Sequence, residues 1–249
     1  MSEEKRIIGV VHLPPFNGFI TEYVQIKNWL LEQIKIYMEA GICWVMIQDQ
    51  TPERKASLRT VSQMASLGRT VKENFPDLHL GVMLEANDGE GNLYVAEATG
   101  AEFIRIKVFV GAMVKAGGVI QGEAEAISKV RCLLKSPIQI YADIYDRMGV
   151  PLKRLPLEVM AKQAVKYGAD GIILTGANEE ESLNLIREVK KSMPQTLVLA
   201  GGGVNKMNVK NFLQTADGVI VSSCLLKEGT TDQWDKRKIH SFLNEAFAL

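Results

Sequence analysis

The sequence predicts a (β/α)8 barrel, and three observations carry that expectation. Eight short runs rich in β-branched and apolar residues alternate with longer amphipathic stretches along the chain. An eighth of the 249 residues is about 31, the size of one strand–helix unit with its loops. Glycine closes helical stretches at Ala40-Gly41, Thr99-Gly100 and Tyr167-Gly168, and the phrases AGICW, TGAEF and YGADG lead straight into the next strand. Eight parallel strands with intervening helices close most naturally into a ring, so residues 1–249 are read as a single barrel domain. An open doubly wound sheet would want a GxGxxG turn after its first strand, and VVHLPP does not resemble one.

The eight expected strands run from Ile7 to Leu13, Trp44 to Gln48, Leu78 to Ala86 and Phe103 to Val110, then Ile138 to Tyr145, Gly171 to Thr175, Thr196 to Ala200 and Gly218 to Ser222. In the last helical stretch Ile239, Phe242, Leu243, Ala246 and Phe247 fall on one helical face. The segment from Val110 to Gly122 is long and glycine-rich, and it is expected to be a loop that could close over a site.

Composition narrows the function classes. Lys+Arg and Asp+Glu are both 29, so the formal net charge is zero. That argues against nucleic-acid binding by bulk charge and against a polybasic membrane anchor. Hydrophobic residues make up 47% and charged residues 23%, which fits a globular chain and not a disordered one. The opening MSEEKRIIGVVHL has no signal-peptide core, and no window of continuous apolar residues is long enough to span a bilayer. A cytoplasmic protein is expected. Cys43, Cys132 and Cys224 are odd in number and far apart, and they read as buried free thiols in a reducing compartment.

A parallel barrel places its chemistry at the C-terminal ends of its strands. Strand alternation aims His12, Gln48, Glu85 and Asn87, Arg105 and Lys107, and Tyr141, Asp143 and Tyr145 at the axis. Buried charge is costly unless paired, and such a cluster at a barrel mouth points to a site. His12, Glu85, Arg105, Lys107 and Asp143 are therefore the candidate catalytic residues. His79 starts a strand at the opposite end and reads as structural, and His240 reads as solvated. A divalent cation could be shared by His12, Glu85, Asp88, Asp143 and Asp146, but no compact motif such as HExxH supports one, so no metal ligand is assigned. A Schiff base through Lys107 is a remoter option. No nucleotide-cofactor motif is present.

The second constellation is a phosphate cradle. Gly201-Gly202-Gly203 follows the seventh strand and Ser222-Ser223 the eighth, with a short helix expected near Asn208-Val209-Lys210. Glycine lets backbone N–H groups approach an oxyanion, and the last two loops of such barrels are a common phosphate site. Gly202, Gly203, Ser222 and Ser223 are the candidate phosphate-binding residues.

At these residues the chain resembles the BtpA family of BtpA- and SgcQ-like proteins. IGVVHLPPFNG is similar to the family's GVIHLPPLPG signature, residues Ala98 to Ala124 resemble its most distinctive segment, and ADGVIVSSCLLKEG is similar to its last strand. The resemblance covers nearly the whole chain in the same order, and it implies a TIM-type barrel. The family is named for a role in photosystem I biogenesis or stability in cyanobacteria. Its members also occur in non-photosynthetic organisms, where that role cannot apply, and some are assigned to sugar metabolism or nucleotide cleavage. The chain departs from the pattern at Gln48-Asp49, where many members have Glu-Asn, and at Tyr145 and Arg147, where they have His and Lys. Asn87-Asp88 and Asp143 are kept. The departures imply that an ancestral acid/base or metal role on strands two and five is altered.

The leading expectation is an enzyme acting on a small phosphorylated metabolite, a sugar phosphate or nucleotide, by isomerisation, aldol-type cleavage or hydrolysis. The alternatives are a non-catalytic assembly or stability factor that keeps a ligand pocket, and a ligand sensor. Homo-oligomerisation is compatible with the fold, but no residue in the sequence requires it.

Overall fold

The computed structural model describes residues 5–14, 20–145 and 148–248. Its elements alternate as expected. They run β1 (Arg6–His12), α1 (Ile20–Ala40), β2 (Trp44–Gln48), α2 (Leu58–Asn74), β3 (His79–Met83), α3 (Gly89–Thr99), β4 (Phe103–Ile106), β5 (Ala112–Lys115), β6 (Gly118–Gln121) and α4 (Ala124–Leu134). Then come β7 (Gln139–Asp143), β8 (Val150–Pro151), α5 (Leu157–Lys166), β9 (Gly171–Leu174), α6 (Glu179–Ser192), β10 (Leu197–Gly201), α7 (Val209–Thr215), β11 (Gly218–Val221), a 3-10 turn (Ser223–Leu225) and α8 (Lys236–Phe247).

Eight strands form a closed parallel barrel in the order β1-β11-β10-β9-β7-β4-β3-β2. Closure is direct: β1 pairs with both β2 and β11, with Arg6 opposite Gly218 and His12 opposite Gln48. Alternation divides the apolar residues into two sets. One set faces the axis, where Ile8, Val10, Met46, Met83, Phe103, Tyr141, Ile173, Leu199 and Ile220 fill the barrel. The larger set faces outward and packs under the helices. One close approach needs glycine. A Cβ on Gly81 would sit 2.1 Å from the Phe103 ring, so the β3 backbone makes room for the largest interior side chain of its neighbour β4.

Local signals explain the helix ends. Ser57 accepts from Thr60 N at the start of α2, Asp88 from Gly91 N at α3, Asn178 from Glu181 N at α6, and Asp235 from the first turn of α8. Helix α6 also carries Glu179, Glu180 and Glu181 in its first turn and Lys190 and Lys191 in its last, matching its dipole. The expected glycine stops at Gly41, Gly100 and Gly168 all have positive φ. In α8, Ile239 and Phe242 are buried, whereas Phe247 is largely exposed at the helix end.

Four expectations need correction. The segment from Val110 to Gly122 is a hairpin, β5–β6, and β5 also pairs with β8 to make a three-stranded antiparallel sheet. Its β-branched residues flank a Gly117-Gly118 turn, a strand–turn–strand signal that glycine content alone obscured. Strands β3, β4 and β7 stop earlier than expected, so Tyr145 lies beyond β7 and its hydroxyl donates to Leu155 O instead of facing the axis. Asn87 is also off the axis. With φ of 54° it bonds Val108 at both backbone groups, its Nδ2 donating to Val108 O and its Oδ1 accepting from Val108 N. The thiols are free, but Cys43 and Cys132 are exposed and not buried. Among the described residues no helix is long and apolar enough to cross a membrane.

Candidate functional site

At the C-terminal ends of the barrel strands lies a cavity of about 820 Å³. Its wall includes His12 from β1, Gln48 from β2, Arg105 and Lys107 from and just after β4, Asp143 from β7 and Thr175 after β9. Gly201, Gly202 and Gly203 complete one side with Ser222 and Ser223, and Gln25, Ile26 and Trp29 of α1 add an amide, an aliphatic and an aromatic side chain to the wall. The structure thus brings the two predicted constellations into one space. Glu85 is the exception; it is not part of the wall and meets the site through Lys107.

The charges are arranged as two pairs. Arg105 grips Asp143 with both ends of its fork, Nε to Oδ2 at 2.8 Å and an NH2 nitrogen to Oδ1 at 2.9 Å. Lys107 Nζ lies 2.7 Å from both oxygens of Glu85, and Gln48 Nε2 donates to the same carboxylate at 3.1 Å. Asp49, the residue after Gln48, is buried and accepts from Glu85 N and Thr51 N, tying the ends of β2 and β3 together. Burial is the largest influence on its carboxyl, raising the pKa above the usual value against those hydrogen bonds. Asp49 was noticed in the sequence only as a departure from a pattern. Its buried anchoring role has no local sequence signature.

His12 sits where β1 ends, half-buried between the two constellations. Its Nδ1 is 3.2 Å from Ser222 Oγ, and that hydroxyl lies 3.1 Å from Val10 O. Burial, then the charges of Lys107 and Arg105, lower the His12 pKa from its ordinary value near 6.5, with Glu85 opposing them. Both influences favour the neutral imidazole over the charged ring.

The glycine turn is held open. Gly202 and Gly203 both have positive φ, 81° and 73°. Asn208 Nδ2 donates to Gly203 O at 3.1 Å, and Asn208 Oδ1 accepts from Asn205 N at 2.8 Å. Thr175, which the sequence reading did not single out, donates its hydroxyl proton to Gly201 O. The carbonyls of Gly201 and Gly203 are thus engaged, and the N–H groups of Gly202, Gly203 and Ser223 have no partner among the described residues.

Asp88 caps α3, Glu85 and Asp143 each face a cation, and the described residues contain no group of three His, Cys, Asp or Glu side chains able to share an ion. Pro15, Asp146 and Arg147 lie outside the described residues. At the opposite end of the barrel lies a second cavity of about 830 Å³ whose charged wall residues are paired: Arg6 bonds Gln139 and, outside the wall, Tyr141; Lys190 pairs with Asp217; and Asp170 pairs with Arg131, which lies outside the wall. His79 stacks there on Trp44 and bonds Glu102, and burial raises the Tyr141 hydroxyl to about 12. That end reads as scaffold.

Known proteins share this architecture. A structure described as native KDPGal superposes with a TM-score of 0.62 at 13% identity, covering 98% of this chain and 96% of that one. Phosphoribosyl anthranilate isomerase from Thermotoga maritima superposes at 0.60 with 17% identity, covering 98% and 100%. At such identities the likeness concerns the fold. In sequence, an uncharacterized protein of Pyrococcus furiosus is 30% identical over 91% of this chain and 88% of its own length. The photosystem I biogenesis protein BtpA of Synechocystis sp. is 28% identical over 97% and 88%. The BtpA family model matches residues 3–247, from before the first barrel strand to the end of α8. With barrel, glycine turn and β4 cations all inside that match, the chain belongs to the BtpA family.

Proposed function

We propose that the chain is an enzyme acting on a small phosphorylated metabolite, a sugar phosphate or nucleotide. The carrying observation is the Gly202–Gly203 turn, whose unpartnered N–H groups border the same cavity as Arg105, Lys107 and His12. Backbone N–H groups in a left-handed turn suit an oxyanion and add no bulk. In this reading Gly202, Gly203 and Ser223 hold the phosphate. Ser222 contributes less through its hydroxyl, which Val10 O and His12 already occupy. Arg105 and Lys107, fixed in place by their carboxylates, stabilise negative charge that develops on the substrate. Because Asp143 and Glu85 are bound by cations, His12 is the remaining group for proton transfer. Isomerisation, aldol-type cleavage and hydrolysis each need that combination of a movable proton and a stabilised oxyanion.

The test uses Gly203. No atom lies within 4 Å of a Cβ built there, and Asn and Asp tolerate its left-handed φ better than other side chains. Gly203→Asn should keep a rise in melting temperature with inorganic phosphate, sugar phosphates or nucleotides. Gly203→Asp should lose it, because a carboxylate then faces the anion. Equal responses in the two variants would sink the phosphate reading.

A second reading, a non-catalytic assembly factor, is favoured by a different observation. Val114, Val119 and Val150 lie side by side across β6-β5-β8 and are 42%, 48% and 68% exposed, an apolar sheet face beside the barrel mouth. The name of the Synechocystis relative supports the same direction.

A further inference from the structure

The Ser222 hydroxyl carries one proton and stands between two partners, Val10 O at 3.1 Å and His12 Nδ1 at 3.2 Å. A carbonyl oxygen can only accept, whereas a neutral imidazole nitrogen accepts or donates according to its tautomer. If the hydroxyl donates to Val10 O, its oxygen is left to accept, and the contact with His12 is satisfied only by an Nδ1–H. The opposite assignment would make Nε2 the N–H. The geometry favours the first assignment, with the Ser222 hydroxyl as the donor to Val10 O. His12 Nε2 has no partner among the described residues.

We propose that Ser222 is a positioning residue that locks His12 in the Nδ1–H tautomer, leaving Nε2 as a bare proton acceptor on the cavity. This deepens the proposed function and rests on it for the identity of the substrate, not for the tautomer. In the assigned step a C–H or O–H bond of the bound substrate breaks and its proton goes to Nε2. The electron pair stays on the substrate, where Arg105 and Lys107 meet the charge. The imidazolium then returns the proton to a substrate or leaving-group atom, so the proton balances over the cycle; in hydrolysis the O–H bond that breaks belongs to solvent water, whose oxygen bonds to the substrate as the leaving group departs. An orienting partner on Nδ1 is the common way of defining which nitrogen of a catalytic histidine reacts.

The chain has three histidines, so long-range proton–nitrogen NMR on the uniformly nitrogen-15-labelled full chain resolves each ring. His12 is assigned by the signals that vanish in His12→Gln. At neutral pH the His12 ring should show a protonated Nδ1 and an unprotonated Nε2. Ser222→Ala should shift the population towards Nε2–H, and Ser222→Thr, which keeps the hydroxyl, should restore the wild-type pattern. The unchanged signals of His79 and His240 report that each variant is folded. An Nε2–H ring in the wild type, or an unaltered His12 pattern in Ser222→Ala, would overturn the proposal. Because phosphate binding is read separately through Gly203, a failed tautomer result and a failed phosphate result are distinguishable.

Discussion

The His12 ring links stability to pH with a definite sign. Its pKa is lowered in the folded chain by burial first and by Lys107 and Arg105 next, so the unfolded chain binds a proton more readily. The stability contributed by the neutral ring is fully present above the unfolded value near 6.5 and is lost as pH falls through the lowered native value. Thermal unfolding of the wild type and His12→Gln in parallel should show the wild type losing extra stability below that pH. The difference in slope should be at most about 1.4 kcal/mol per pH unit for one proton. Identical slopes would mean that the ring is not held neutral by its surroundings. The inward aim of His12, Arg105, Lys107 and Asp143 was legible in the sequence because alternation along a strand is a rigid rule. Their pairings were not, since Arg105 meets Asp143 across 38 positions of chain and only the strand order makes them neighbours.

Elements were legible where a local pattern governs them and obscure where a distant group intervenes. All eight barrel strands and the glycine stops follow from periodicity and capping chemistry. Strand β4 is shorter than its expected run because Asn87, in the loop between β3 and α3, takes both backbone groups of Val108. No window of sequence around Val108 reveals that competitor. The three-stranded sheet is the main element the sequence reading missed, and it supplies its own test. Val114→Lys with Val119→Lys alters only exposed positions, so stability should change by no more than about 0.5 kcal/mol each. The phosphate response should persist. If the sheet serves an assembly role, this pair should also abolish a stoichiometric complex recovered by pull-down from native lysate. Undiminished recovery would remove the sheet from that role.

Across the whole molecule, closure depends on how the interior is filled. Gly81 and Phe103 form one complementary unit, a missing side chain against a large one. Gly81→Ala should cost about 1–3 kcal/mol by overpacking, measured by urea denaturation. Phe103→Leu alone should cost less than a truncation to alanine, and the double variant should recover part of the Gly81→Ala loss, a coupling between contacting residues. Strict additivity would show that the ring relaxes elsewhere. The nine interior residues that include Phe103 also stand between the two large cavities, one at each end of the barrel. They act as a stopper in a tube. For the proposed enzyme, traffic at the mouth is consequently single-ended: a molecule that enters past Trp29 must retreat by the same doorway, and the next one waits until it has gone.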